Sequence, residues 1–481
     1  IVMRFILFFL VGMIAGMPCA TAQPRICVDE RQELSAIVWR LAGAEEDMQP
    51  VPPSYEADIR RAFEAFGDHP LMRFIRTMRD APDSVAVVSY NSAPVAAAVL
   101  RIEKGHVRLA SSLDVADYLK RVDPRWTADN LKRYVRLLDD FYRRSHFDRF
   151  FRDHRMLYDA YVEETRRLYD KTVHPDWFER FYGMPFPELS VFVSPAYGVH
   201  NYALSERVLG AMGLEGIGVL MGVAREPRER IGNAAEGVLI HEISHYFTNR
   251  IFPQYNEQLL PAGAQLFAAL PRRLTAAGYG APRIVCGEYL NELCSMIYCR
   301  EMLGDDLSAA IRRCRNMGFI WAEEGLVFMD NFTSNRSLYP AFSDFMPQLA
   351  GFMRSIGENI ETIKRIYNEP PYVVSTFPAS GTAVPADIRE VRIRFSHPMN
   401  TGLIAIRTFD DESILPLYDD SWYDDHEEDP EYWADDHTLV IRIPIPLQPG
   451  KRYGVILPAL LCKENNVSMN QDYDLIFNTI P

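Results

Sequence analysis

The sequence predicts an α+β protein in which a mostly helical region with a small sheet is followed by a β-sandwich. Long stretches before residue 368 repeat their apolar residues at helical intervals. Two short runs rich in β-forming residues, 189–193 and 216–223, interrupt that pattern and predict strands of a small sheet. After Pro370-Pro371, short alternating apolar segments separated by turns continue to the end of the chain, which is typical of a sandwich.

Length and composition indicate a globular protein of more than one domain. The chain has 481 residues, is 48% hydrophobic and carries a net charge of −14. The negative charge argues against nucleic acid or an anionic membrane surface as a partner. Beyond the N-terminal segment, no apolar stretch is long enough to cross a bilayer, so no transmembrane segment is predicted.

The N-terminal segment, residues 1–22, has the pattern of a signal peptide. An apolar run over 5–17 is followed by small residues that end at Ala22, where we expect cleavage. The mature chain is therefore expected to be exported, either to the periplasm or out of the cell. Cys19 offers a site for a lipid anchor, but Pro18 directly before it fits that signal poorly, so we favour a soluble exported form.

Without Cys19, the chain keeps an even number of cysteines, and an exported protein can pair such cysteines in disulfides. The sequence does not select a pairing. The cysteines concerned are Cys27, Cys286, Cys294, Cys299, Cys314 and Cys462.

Residues 23–185 are predicted to form a helical region without chemistry of its own. Its most regular part, 115–170, is amphipathic and rich in aromatic residues, which indicates a packed helical layer. Residues 186–368 contain the predicted sheet and the motifs described next, and we expect them to form the catalytic region.

Residues 233–252 are predicted to form one helix, with Asn233 as its N-cap. His241 and His245 are four positions apart, so both imidazoles lie on one face and can bind one metal ion. Glu242 lies beside the first histidine and suits a general base that takes a proton from an activated water. The alternative is a surface helix with two solvated histidines, but the apolar residues around the motif argue against it.

A second predicted helix, 284–303, offers a third metal ligand. Glu288 and Glu292 lie one turn apart on the same face of this largely apolar helix. A carboxylate in apolar surroundings needs a compensating partner, and a metal ion is one such partner. The alternative is an ordinary solvated face. The residues alone leave the choice between the two carboxylates open.

Two motifs resemble those of the gluzincin zinc metallopeptidases: His241-Glu242-x-x-His245 and Asn291-Glu292-x-x-Ser295. The resemblance implies a zincin-like fold, a Zn²⁺ cofactor and a peptide or protein substrate. It also implies His241, His245 and Glu292 as the zinc ligands, with Glu242 as the general base.

The second motif departs from the family pattern in one place. The aspartate that ends it in the family is Met296 here, so the carboxylate that supports a ligand histidine must come from elsewhere. Glu288 could serve in that role, or could replace Glu292 as the ligand.

Two broader resemblances cover most of the chain. Residues 31–365 resemble a group of exported bacterial HExxH proteins classed as a domain of unknown function, through the segments ELSAIVWRLAG, HPLMRFIRTMRD, HEISHYFTN and YLNELCSMIYCRE. Residues 372–481 resemble a bacterial Ig-like domain of the surface-layer type, through TFPASGTAVPADIREVRIRFSHPMN and LQPGKRYGVIL. Such modules present or space a catalytic domain.

The expected function is that of an exported zinc metallopeptidase. One alternative is a non-catalytic binding protein on the same scaffold, which the intact Glu242 argues against because a structural site needs no base. The other is a zinc hydrolase that acts on a non-peptide amide, which the motif does not distinguish. Candidates for stabilising the oxyanion are Tyr298, Arg300, Tyr339 and His200, and candidate cleft residues are His200, Asn201 and Tyr202.

Overall fold

The computed structural model describes residues 23–44, 48, 50–79, 88, 90–111, 114–227, 234–409, 415–416, 429–443 and 445–481. The expected signal peptide and the expected N-cap Asn233 lie outside these ranges. The chain divides into two compact units. The first comprises the described residues of Ile1–Gln254 with Cys294–Asp305 and Asn335–Phe345, and the second comprises Tyr255–Leu293, Asp306–Ser334 and the described residues of Met346–Pro481.

Helices dominate the chain before residue 368. In order they are α1 (Glu30–Trp39), α2 (Pro53–Phe63), α3 (Pro70–Arg79), α4 (Ala93–Ala98), α5 (Val115–Val122), α6 (Ala128–Arg144), α7 (Phe147–Asp153), α8 (Arg155–Thr172), α9 (Pro175–Tyr182), α10 (Glu206–Met212), α11 (Ala234–Ile251), α12 (Asn256–Ala269), α13 (Pro271–Ala276), α14 (Pro282–Tyr298), α15 (Ser308–Met317), α16 (Ala322–Thr333) and α17 (Phe342–Tyr367).

Strands are short in the helical region and frequent after it. In order they are β1 (Arg25–Cys27), β2 (Leu100–Glu103), β3 (His106–Leu109), β4 (Leu189–Ser194), β5 (Asn201–Leu204), β6 (Ile217–Gly222), β7 (Val373–Phe377), β8 (Ala383–Val384), β9 (Glu390–Phe395), β10 (Glu431–Asp435), β11 (Thr438–Arg442), β12 (Arg452–Leu457) and β13 (Tyr473–Thr479). The predicted fold class, mostly helical with small sheets and then β-rich, is confirmed.

The sheet of the first unit has the strand order β1-β4-β6-β5. Strands β1, β4 and β6 run parallel, whereas β5 is antiparallel to β6. β4 is buried along its whole length, as a central strand with apolar side chains on both faces should be. β5 therefore forms one edge of this sheet.

The helical core of the first unit is built largely from aromatic side chains. Trp39 on α1 meets Trp126 edge to face, with ring centroids 6.5 Å apart. Phe63 on α2 packs against Phe141 and Phe150, which come from the amphipathic stretch 115–170. These contacts bury the apolar faces of the helices that the sequence periodicity identified.

A buried carboxylate links α1 to the segment that follows β4. Glu33 is fully buried and accepts hydrogen bonds from the Tyr55 hydroxyl at 2.8 Å, the Ala196 amide at 3.0 Å and the Ser194 hydroxyl. The Tyr55 hydroxyl also lies 2.7 Å from that of Tyr158. Burial raises the pKa of Glu33 to about 7, because the charged form loses its hydration.

The C-terminal region consists of two β-sheets with an apolar core. One sheet is antiparallel with the order β10-β11-β9-β7, and the other has the order β12-β13-β8. Residues 403–408 are one of the alternating apolar segments from which the sequence predicts a strand, and this prediction is wrong, because only Arg407 pairs, through a single bridge to Ile456. Leu403 and Ile406 pack partly buried against the sandwich core, so their spacing reflects burial and not strand pairing.

The junction between α17 and the sandwich lies within the second unit and is held by polar contacts. The Lys463 ammonium donates to the carbonyls of Tyr367 at 2.6 Å and Glu369 at 2.8 Å. The Asn465 amide also donates to the Tyr367 carbonyl, at 2.8 Å. The bonds to Tyr367 satisfy a carbonyl that the end of α17 leaves without an intrahelical partner, and the bond to Glu369 holds the segment just after the helix.

The six cysteines Cys27, Cys286, Cys294, Cys299, Cys314 and Cys462 are free thiols in the structure. Burial raises the pKa of Cys286 and of Cys294 to about 12, which keeps both thiols protonated at neutral pH. Among the described residues, no helix is both long enough and apolar enough to cross a membrane.

Candidate metal centre

The two histidines of the motif converge on α11. The Nε2 atoms of His241 and His245 are 3.1 Å apart, and the two ring planes are nearly perpendicular at 88°. Both side chains are partly exposed, so the face that carries them is accessible. The i, i+4 spacing thus places two imidazole nitrogens close enough to bind one ion.

The opposite side of α11 fixes this orientation. Ile243 and Phe247 are fully buried, and the Phe247 ring stacks on Tyr182 of α9 with centroids 4.6 Å apart. The helix also packs against β5 and β6. Near its start, the Glu236 carboxylate accepts from the Lys171 ammonium at 2.7 Å. An anchored buried face leaves the histidines little freedom to turn away.

Glu288 forms, with the two histidines, a group of side chains that could hold one metal ion. His241, His245 and Glu288 each offer one ligand atom, and these atoms all lie within 4.8 Å of one another. Like the histidines, Glu288 is partly exposed, whereas Glu292 is only 6% exposed. The carboxylate that was left open as the alternative ligand is therefore the one in the cluster.

The different position of Glu292 has a local cause. Its carboxylate lies 3.7 Å from the Arg313 guanidinium and 3.9 Å from the Cys314 thiol, both on α15. Burial raises the pKa of Cys314, and the negative charge of Glu292 raises it further. α15 thus covers the turn of α14 that carries Glu292 and leaves the previous turn, with Glu288, accessible.

The general-base candidate Glu242 lies on the same helix, near the edge strand of the sheet. It is partly exposed. β5 packs against α11, the helix that carries Glu242, and burial raises the pKa of Tyr202 on β5 well above its usual value. β5 therefore runs close to the position from which Glu242 would act.

The other candidates from the sequence have different surroundings. Tyr298 is fully buried, and its hydroxyl donates to the Thr172 carbonyl at 2.5 Å and accepts from the His174 amide at 2.8 Å. That hydroxyl is thus already bonded to two backbone groups, which argues against Tyr298 as the oxyanion group. The His200 ring packs against Tyr90 with centroids 4.7 Å apart.

Three further candidates also have defined positions. The Asn201 side chain accepts from the Gly222 amide at 3.2 Å and so links β5 to β6. Tyr339 packs edge to face on Phe345, and Arg300 lies in the π-helical turn that follows α14. None of these contacts assigns an oxyanion role.

Comparison with known families identifies two regions of the chain. Residues 33–351 match the family described as domain of unknown function DUF4932. Residues 367–479 match a bacterial Ig-like domain. No curated protein matches the chain.

Solved structures of S-layer proteins are similar only at a low level. The S-layer protein rSbsC(31-844) is 12% identical with a TM-score of 0.15, over 50% of this chain and 33% of that chain. The N-terminal part of SbsC is 11% identical with a TM-score of 0.17, over 53% of this chain and 60% of that chain. The chain thus spans about a third of the S-layer protein rSbsC(31-844) and 60% of the N-terminal part of SbsC.

The DUF4932 match extends over α1 to α17 and includes both His241 and Glu288. The Ig-like match covers both sheets of the C-terminal sandwich. The chain belongs to the DUF4932 family and carries a C-terminal bacterial Ig-like domain.

Proposed function

We propose that the protein is a zinc-dependent hydrolase that cleaves peptide bonds, with His241, His245 and Glu288 as zinc ligands. The observation that carries this proposal is the 3.1 Å separation of the two Nε2 atoms, with the Glu288 carboxylate in the same cluster. Two nitrogens bound tetrahedrally to one zinc ion lie about 3.3 Å apart, given zinc–nitrogen distances of about 2.0–2.1 Å. The histidine pair fits this spacing.

The donor set also suits a catalytic site better than a structural one. Two imidazoles and one carboxylate are three protein ligands, which leave a fourth position on the ion for water or substrate. All three side chains are partly exposed, so that position can be reached from solvent. A bound zinc ion would lower the pKa of a water molecule to about 7 and polarise a carbonyl group.

Glu242 supplies the proton transfer in this proposal. Its carboxylate would accept a proton from the attacking water and deliver it to the leaving amine. Its place next to His241 on α11 puts it beside the ligand cluster. Since the helix is held by its buried face, the carboxylate and the histidines keep their relative positions during turnover.

The neighbouring edge strand supports an extended peptide as the substrate. β5 pairs with β6 on one side and ends the described sheet on the other. An edge strand offers unpaired amide and carbonyl groups, to which an extended peptide can add as a further strand. β5 also packs against α11, the helix that carries the proposed base.

The decisive test compares Glu242→Gln with wild type for zinc content and for cleavage of a mixed peptide library. We expect zinc to be retained and cleavage to fall about 10²–10⁴-fold, the usual contribution of a general base. The matched control is Glu257→Gln, an exposed carboxylate at the start of α12, which should cleave like wild type. Undiminished cleavage by Glu242→Gln would refute the assignment of the base. A zinc-loaded wild type that cleaves no peptide would refute the peptidase proposal.

A further inference from the structure

A pocket in the second unit, at the junction of α17 and the Ig-like domain, is separate from the proposed catalytic residues. Its volume is about 160 Å³. One wall is apolar and includes Ile320 and Ile366. Arg312, Arg315 and Lys463 also line it, together with the acidic residues Glu324 and Glu464, so basic side chains outnumber acidic ones here although the chain carries a net charge of −14.

Lys463 brings a largely desolvated positive charge to the pocket. It is 6% exposed, and two of the three donors of its ammonium are taken by the carbonyls of Tyr367 and Glu369. Burial lowers the pKa of Lys463, and the positive charge of Arg315 lowers it further although Glu369 opposes the shift. A bound anion would offset both the burial and the repulsion.

Arg315 has a donor that the protein does not satisfy. Its Nε is buried and has no hydrogen-bond partner among the described residues. One Nη nitrogen is held by Glu323, whose side chain is 58% exposed. Since an exposed ion pair contributes little stability, a ligand carboxylate could displace Glu323 and accept from two nitrogens of the guanidinium at once.

Arg312 is paired with a carboxylate that is more buried than the partner of Arg315. Its guanidinium lies 3.3 Å from the Glu464 carboxylate, which is 15% exposed. Because Glu464 balances the charge of Arg312, Arg315 and Lys463 are the groups that would attract an anion.

We propose that this pocket binds a small organic carboxylate whose apolar body is about the size of a six-membered ring. An apolar protein cavity of about 150 Å³ is known to accept benzene, which sets the size of the body. The apolar wall would hold that body while Arg315 and Lys463 bind the carboxylate. The proposal does not depend on the proposed function of the histidine pair.

Titration calorimetry of the full chain with benzoate tests this proposal. Benzamide, with the same ring and no charge, and inorganic phosphate, with charge and no apolar body, are the comparison ligands. We expect saturable binding of benzoate, at least tenfold tighter than that of benzamide or phosphate. No saturable binding of benzoate, or equal binding of either comparison ligand, would overturn the proposal.

Variants locate the binding site. Arg315→Gln should weaken benzoate binding at least tenfold, whereas Arg354→Gln, an exposed arginine on α17 outside the pocket, should bind like wild type. Ile366→Trp should also weaken binding, by filling the apolar side at a position that is 49% exposed and therefore tolerant of a larger side chain. Binding that survives both pocket substitutions but is lost in His245→Ala would place benzoate at the histidine pair and refute the site.

Discussion

The buried carboxylate of Glu33 should make the stability of the protein depend on pH. Its pKa is about 7 in the folded state against 4.5 for an ordinary glutamate. Between these values the folded state keeps a proton that the unfolded state has lost, so the free energy of unfolding falls as the pH rises. The stabilisation is complete below about pH 4.5 and absent above about pH 7. This pKa difference of about 2.5 corresponds to about 3 kcal/mol in the free energy of unfolding, and most of that stabilisation is lost between pH 5 and pH 8.

Glu33→Gln removes this titration while it keeps the shape of the side chain. Urea unfolding followed by tryptophan fluorescence provides the assay. Trp39, at the end of α1, and Trp126 both lie in the apolar core against which α1 packs. The stability of wild type relative to Glu33→Gln should fall by about 2.5 kcal/mol from about pH 5 to pH 8. Glu163→Gln, an exposed carboxylate on α8, is the control and should show no such trend. A difference that stays constant, or that grows with pH, would refute the reasoning.

Three further substitutions test contacts elsewhere in the fold. Tyr298→Phe should lower the melting temperature, with a loss of about 1–3 kcal/mol, because the Thr172 carbonyl and the His174 amide both lose their partner. Tyr197→Phe should leave the melting temperature unchanged or raise it, since that buried hydroxyl has no hydrogen-bond partner among the described residues. Equal losses in the two variants would contradict this assignment. Lys463→Met should speed limited proteolysis just after α17, because two hydrogen bonds at the end of this helix are lost. An unchanged rate of cleavage would show that these bonds do not hold the junction between α17 and the Ig-like domain.

Local patterns in the sequence predicted much of the fold. The helical periodicity around the histidines predicted 233–252, and α11 spans Ala234–Ile251. The apolar runs at 189–193 and 216–223 became β4 and β6. These segments bury one face or a whole strand, so their residue spacing directly reflects their structure.

Features that depend on distant partners were not predictable. β1 has three residues, too few for a periodic pattern, and exists because β4 pairs with it. The β2–β3 hairpin was also missed, although Lys104 and Gly105 both adopt positive φ as its tight turn requires.

The choice between the two glutamates of α14 also depends on a distant partner. Glu288 and Glu292 share one helix face, and only the packing of α15 against the second one distinguishes them. Nothing within the helix itself indicates that Arg313 will lie there. The sequence therefore predicted the helix that carries both candidate carboxylates, and the proposal of Glu288 as the ligand rests on its grouping with the histidines.

The most direct test of the proposed metal centre is the zinc content of wild type, His245→Ala, Glu288→Gln and Glu292→Gln, measured by elemental mass spectrometry after reconstitution. The account predicts about one zinc per chain in wild type, a loss in the first two variants and retention in Glu292→Gln. Loss of zinc in Glu292→Gln with retention in Glu288→Gln would contradict the ligand set, and a wild type without zinc would contradict the metal centre itself.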